Sequence, residues 1–130
     1  MPLQIRVYYD DTDAGGVVYY ANYLKYLERA RTDFMEQLGF SVKGYQEEGI
    51  WFTVVRIEVN YRSPAFYGDV VDVSTRLVEA KRVRFTLTHE IRNSKGVLLV
   101  EATTTMACVD STMKPRALPE KMSAAFAQIA

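Results

Sequence analysis

Apolar and polar residues alternate along most of this chain, with one stretch of a different period. Leu3, Ile5, Val7 and Tyr9 fall on one side of residues 3 to 9, the two-residue repeat of a strand. The run Asp10-Asp11-Thr12-Asp13-Ala14-Gly15-Gly16 is rich in turn residues and ends that repeat. From Asn22 to Leu38 the period lengthens. Tyr23, Leu27, Ala30, Phe34 and Leu38 recur at spacings of four, three, four and four, with Lys25, Arg29, Asp33, Glu36 and Gln37 largely opposite. This predicts an amphipathic helix with one buried stripe. Asn22 is its expected N-cap and Gly39 its expected stop. Residues 41 to 48 predict a short second helix ended by Gly49.

From Trp51 onward the period returns to two. Val55, Ile57, Val59 and Tyr61 alternate with Arg56, Glu58 and Asn60. Val71, Val73 and Leu77 form a second such set, and Phe85, Leu87, His89 and Ile91 a third. Leu98, Val100, Ala102, Thr104, Met106 and Cys108 form the fourth. Asn93-Ser94-Lys95-Gly96 reads as a hairpin turn, and Ser63-Pro64-Ala65-Phe66-Tyr67-Gly68 as another connection in which Pro64 stops the preceding strand. The order is strand, helix, then four strands, and short turns between consecutive strands imply antiparallel pairing. The expected class is α+β: a helix packed on a curved, five-stranded antiparallel sheet. One helix is scant cover for so many apolar positions, so protomers are expected to associate as a dimer or a larger homo-oligomer.

Length suits one domain, residues 1 to 130. Sixteen basic and 16 acidic residues cancel, which removes the global field that would draw nucleic acid, so any anion site must be local. No apolar run approaches the ~20 residues of a membrane span. The start Met1-Pro2-Leu3-Gln4-Ile5-Arg6 lacks the features of a signal peptide, and the cytoplasm is the expected compartment. Cys108 is the only cysteine, lies in an apolar stretch and reads as a small buried side chain.

Two segments are specific enough to carry a resemblance. Asp11-Thr12-Asp13-Ala14-Gly15-Gly16-Val17-Val18-Tyr19-Tyr20-Ala21-Asn22-Tyr23, followed by Glu28-Arg29-Ala30-Arg31, resembles the opening motif of the 4-hydroxybenzoyl-CoA thioesterase family of hot-dog proteins. Ala107-Cys108-Val109-Asp110 and Met113-Lys114-Pro115-Arg116-Ala117-Leu118-Pro119 resemble the closing run of its Tol-Pal-associated acyl-CoA thioesterase branch. The resemblance implies the hot-dog fold, a five-stranded antiparallel sheet wrapped around one long helix, in dimers often paired into homotetramers. It implies hydrolysis of acyl-CoA thioesters without metal or cofactor, and acyl-carrier-protein thioesters are kept as the alternative substrate. The Tol-Pal branch adds cell-envelope proteins as candidate partners. The family's catalytic carboxylate falls on Asp13, and the position whose backbone N–H polarises the thioester carbonyl falls on Tyr20. Many members of the Tol-Pal branch carry His where this chain has Tyr20, while others in the family carry Tyr; a backbone role tolerates either.

The remaining chemistry is read against that. Asp10 and Asp11 are read as turn residues. Gly16 and its neighbour Gly15 let backbone approach a bound acyl group, and Gly16 and Val17 are assigned to substrate binding. The helix start aims free N–H groups and positive dipole toward a developing oxyanion. Asp13 would attack the carbonyl or deprotonate a water. His89, the only histidine, lies mid-strand on the apolar side and is expected in the core or an interface rather than in a triad or a dehydratase site. Tyr23 is a helix-face residue that also reaches the acyl pocket, and family geometry puts Trp51 and Thr53 along the acyl tunnel. Lys81 and Arg82, with Arg84 near, are candidates for the coenzyme A phosphates; Lys114 and Arg116 are a second set, read as structural. The alternative reading is a non-catalytic acyl-CoA-binding sensor or scaffold.

Overall fold

The structure, a computed structural model, describes residues 1–129. Its elements are β1 (Leu3–Arg6), a single 3-10 turn (Tyr9–Asp11), α1 (Asn22–Gln37), α2 (Val42–Glu47), β2 (Trp51–Tyr61), β3 (Val70–Ala80), β4 (Arg84–Asn93), β5 (Leu98–Val109) and α3 (Glu120–Ile129). The five strands form one sheet in the order β1-β3-β4-β5-β2. β1 runs antiparallel to β3, with Leu3 opposite Val73 and Ile5 opposite Val71.

Consecutive pairing holds for β3, β4 and β5. The turn between β4 and β5 is closed by Asn93, whose side chain accepts from the N–H groups of Lys95 and Val97, both at 3.0 Å. Gly96 there takes φ +80°, a left-handed conformation that only glycine adopts without cost. The expectation fails between β2 and β3. β2 lies at the far edge beside β5. The physical reason is that the connection after β2 is not a hairpin. The N–H groups of Arg62 and Ser63 donate to Leu99 O, at 2.7 and 3.1 Å, and Ala65 O accepts from Val18 N–H at 2.9 Å. Pro64 supplies no donor to continue a ladder. The sequence also extends β1 too far. Tyr9 is 77% exposed and belongs to the 3-10 turn, because Asp11 folds back and accepts the Tyr8 N–H at 2.8 Å.

The α1 boundaries match the sequence reading to within one residue, but the ends work differently. Asn22 does not cap: its side-chain amide donates to Asp11 O at 2.9 Å. Gly39, at φ +90°, ends the helix in a Schellman motif, with Gly39 N–H on Glu36 O (2.9 Å) and Phe40 N–H on Met35 O (3.0 Å). α2 is the short helix expected, capped by Ser41 and followed by Gly49 at φ +81°. α3 was not anticipated from the sequence. Its signal is the spacing of Met122 and Phe126, both fully buried, just after Pro119.

Contacts divide the chain into two compact units. The first comprises Met1–Asp33, Val59–Thr75 and His89–Ala102. It buries Val7, Leu27, Val71 and Ile91 without exposed area, along with Ala65. The second comprises Phe34–Glu58, Arg76–Thr88 and the residues from Thr103 on. Its core is an apolar cluster that includes Met35, Leu77, Phe85, Leu87, Met122 and Phe126. Phe126, Phe85 and Phe52 follow one another at ring separations of 5.2 and 6.0 Å. No helix among the described residues is long and apolar enough to cross a membrane.

Candidate active site

The loop that follows the 3-10 turn is a tight backbone structure in the first unit. Asp13 N–H donates to Val17 O at 2.9 Å, and Gly16 N–H returns to Asp13 O at 3.0 Å. Thr12 bridges Val18, and Val17 bridges Phe66. Gly16 sits at φ +80°, which this turn needs and other residues resist. The Asp13 side chain is exposed, and its Oδ1 accepts the Gly15 N–H at 2.8 Å. A Cβ on Gly15 would come within 3.2 Å of that same oxygen. The two glycines thus have separate tasks: Gly15 makes room for the carboxylate, and Gly16 makes the turn.

Asp11 is more than a solvated turn residue. Its carbonyl accepts both Tyr19 N–H and the Asn22 side-chain amide, each at 2.9 Å. The loop is therefore tied to the first residue of α1. Between these ties, Tyr20 N–H has no backbone acceptor among the described residues. The Tyr19 hydroxyl is held above its ordinary pKa, chiefly by the Tyr20 hydroxyl beside it, with a smaller contribution from the Asp13 charge.

Beside Tyr20 lies a cavity of about 260 Å³, walled by Val18, Tyr20 and Tyr23 on one side and by Tyr61–Pro64 on the other. Tyr23 is 3% exposed, and its hydroxyl accepts the Ala65 N–H at 3.1 Å. Burial pushes that hydroxyl's pKa up. Tyr23 is thus both a packed residue of α1 and a wall of the cavity. The sequence reading missed Tyr61 and its three successors. Their signal is weak, because Tyr61 sits in strand alternation and only the chain path returns it to the helix start.

Asp13, Gly16, Val17, Tyr20 and Tyr23 all belong to the first unit, and Trp51, Thr53, Lys81 and Arg82 to the second. Trp51 is exposed and Thr53 half-buried on β2. Lys81 closes the β3–β4 turn through its N–H to Arg84 O at 2.7 Å, and its ammonium pairs with Glu79 at 3.1 Å. The second unit also joins the two basic sets. Leu118 N–H donates to Arg82 O (2.9 Å), Cys108 N–H to Val83 O (2.8 Å) and Arg116 N–H to Cys108 O (3.0 Å). The closing run is itself fixed by Asp110, whose Oδ1 accepts from Thr112 N–H, Thr112 Oγ1 and Lys114 N–H. Those bonds hold the Asp110 carboxyl below its ordinary pKa.

The histidine and the cysteine are both buried. His89 is 2% exposed; its Nδ1 lies 3.0 Å from Thr75 Oγ1. Burial first, and the nearby Arg31 charge second, lower its pKa to about 4. Its partner is a hydroxyl and not a carboxylate, which is not the wiring of a triad. The Cys108 thiol is buried, raised in pKa by that burial, and faces Ala117 O at 3.7 Å. Among the described residues no group of three His, Cys, Asp or Glu side chains could hold a metal.

An exposed carboxylate thus sits on a glycine-supported loop that is bonded to the first residue of α1. The family model of the thioesterase-like superfamily matches residues 7–126, and the chain belongs to that family. It is 41% identical over 125 residues to the acyl-CoA thioester hydrolase YbgC of Escherichia coli O6:H1, covering 95% of this chain and 93% of that protein. It is likewise 41% identical to the acyl-CoA thioesterase YbgC of Haemophilus influenzae, covering 94% of this chain and 90% of that one. The crystal structure of DHNA-CoA thioesterase from Staphylococcus aureus superposes with a TM-score of 0.96 at 32% identity, over 98% of this chain and 89% of that one. The five-stranded antiparallel sheet with its long helix is therefore the hot-dog fold of that family.

Proposed function

We propose that this chain hydrolyses an acyl-CoA thioester to the free acid and coenzyme A, with Asp13 as the catalytic carboxylate. The observation that carries the reading is the Asp13 loop. One carboxylate oxygen is anchored on Gly15 N–H at 2.8 Å, the loop is bonded to the start of α1, and Tyr20 N–H has no backbone acceptor. The anchored oxygen orients the other toward a bound carbonyl. The Tyr20 N–H and the positive end of α1 stabilise the oxygen that becomes negative as the carbonyl is attacked. Asp13 Oδ2 either adds to the carbonyl carbon, expelling the coenzyme A thiolate and leaving a mixed anhydride for water to open, or takes a proton from the attacking water. Single turnover in ¹⁸O water tests the first path, since label enters Asp13 only when water opens the anhydride at the Asp13 carbonyl.

Gly16, Val17 and Tyr23 lie along the acyl group in this reading, with Trp51 and Thr53 further along it. Lys81 and Arg82, now joined by Arg116, receive the phosphates. β2 supports homo-oligomerisation. It is an eleven-residue edge strand on which Trp51, Val54, Val55 and Tyr61 are exposed, and an edge of this kind is a template for a second copy. The chain acts as one domain in a dimer or tetramer, in the cytoplasm. An acyl-carrier protein or a cell-envelope component would be its macromolecular partner.

The test is thiol release from a panel of acyl-CoAs, with Asp13→Asn as the control. Turnover that vanishes in the folded variant supports the reading. Full turnover in Asp13→Asn removes Asp13 from the chemistry. Binding without turnover across the panel makes the protein a sensor or scaffold.

A further inference from the structure

Three tyrosines converge beside the Asp13 loop, and the sequence pattern marked only two of them for the site. Tyr61 is the last residue of β2, and its hydroxyl donates to Tyr20 O at 3.2 Å. Its ring lies edge-on to that of Tyr20 at 6.3 Å and tilted against that of Tyr23 at 5.7 Å. Tyr23 cannot yield, being buried and bonded to Ala65 N–H. Tyr61, at 47% exposure, is held by the single bond to Tyr20 and by ring contact. The cavity these residues wall measures about 260 Å³. That is below the roughly 300–1,000 Å³ of pockets that enclose a whole drug-sized ligand, so it suits one compact end of a substrate.

We infer that Tyr61 is a specificity-determining residue that closes the acyl end of the site and restricts it to compact acyl groups. The inference rests on the thioesterase reading above and deepens it. The ring is the wall, and the hydroxyl keeps the wall in place through the Tyr20 carbonyl. The same bond fixes the peptide that follows the proposed oxyanion donor, so Tyr61 also acts as a positioning residue through Tyr20. A pocket wall of this kind discriminates by roughly 10- to 200-fold per methylene it excludes.

The experiment compares kcat/KM for decanoyl-CoA and butyryl-CoA in the full chain and in Tyr61→Ala, Tyr61→Trp and Tyr61→Phe. Tyr61→Ala is expected to raise the decanoyl-to-butyryl ratio by about tenfold or more, and Tyr61→Trp to lower it. Tyr61→Phe is expected to lower kcat severalfold for both substrates while moving their ratio far less. A merely structural role would reduce both substrates together and leave the ratio where it was. A folded Tyr61→Ala with a ratio within twofold of the parent overturns the inference. If that variant does not fold, Tyr61→Leu decides on the same criterion. Parent turnover that Asp13→Asn abolishes but Tyr61 variants leave unselective defeats this inference alone. No turnover of either thioester by the parent defeats the thioesterase reading and this inference with it.

Discussion

The loop around Asp13 and the apolar cluster around Phe126 hold their shapes by opposite means. In the loop, Asp13, Gly15 and Gly16 are exposed, and hydrogen bonds at 2.8 to 3.0 Å, two between main-chain groups and one to the Asp13 carboxylate, do the holding. In the cluster, Leu87, Cys108, Met122 and Phe126 have no exposed area, and burial does the holding. A group that must meet substrate cannot be secured by removing it from water, so it is secured by donors and acceptors along the chain. The two regions should therefore divide the effects of mutation between them. Loop substitutions act on turnover, and cluster substitutions act on stability.

The sharpest way to break that division is Asp13→Asn. The amide oxygen can still accept from Gly15 N–H, so the loop keeps its anchor. We expect kcat to fall by about 10³-fold or more, which is about 4 kcal/mol of barrier, with Tm within about 2 °C of the parent. A large loss of Tm would mean that the loop carries stability after all. The reverse experiment is Phe126→Ala, which empties a site packed at 5.2 Å against Phe85. It should cost about 3–5 kcal/mol in urea unfolding, with kcat per folded molecule little changed.

Burial also controls a titration, and this extends the contrast to a polar side chain. His89 is 2% exposed, and its pKa is lowered to about 4 from the ordinary 6.5. The unfolded chain takes up this proton below pH 6.5, whereas the folded chain resists until about 4. The stabilisation is thus complete above 6.5 and is lost as the pH falls through that window. Across it the loss is on the order of 3 kcal/mol. Unfolding curves at pH 7.5 and 4.5 should therefore show a steeper loss in the parent than in His89→Gln, and equal losses would contradict the buried neutral histidine. The smallest effect is expected at the basic turn. Lys81→Ala with Arg82→Ala should raise KM for acyl-CoA by roughly threefold, lower kcat less, and do so more weakly at high salt. An unchanged KM would move the phosphates elsewhere.

Much of this molecule was legible before its shape was known. The 3.6-residue stripe of α1 and the strict alternation of Phe85, Leu87, His89 and Ile91 in β4 needed only local periodicity, because each of those elements has one covered side. The Asp13-to-Tyr20 segment was legible through its resemblance to the family's opening motif, which is carried by contiguous residues. β2 was legible as a strand, but its burial was not: none of its eleven residues is buried. An alternating pattern records which residues suit a covered face, and on this edge strand the described residues do not complete that cover.

The amino-acid sequence by itself determined the five strands and the first two helices in outline, the helix stop at Gly39 and the buried state of Cys108 and His89, since each depends on neighbours within a few residues or on side-chain chemistry alone, and the motif resemblance marked the candidate carboxylate. Tertiary structure alone decided the rest. It put β2 beside β5 instead of β3, enlisted α3 in a core through Met122 and Phe126, and gathered Arg82 and Arg116 through the bonds of Leu118 and Cys108. It also brought Tyr61, 41 positions along the chain, to the carbonyl of Tyr20. Contacts at that separation depend on where the chain crosses from one edge of the sheet to its interior. No local period encodes that path, which is settled by which faces must leave water together.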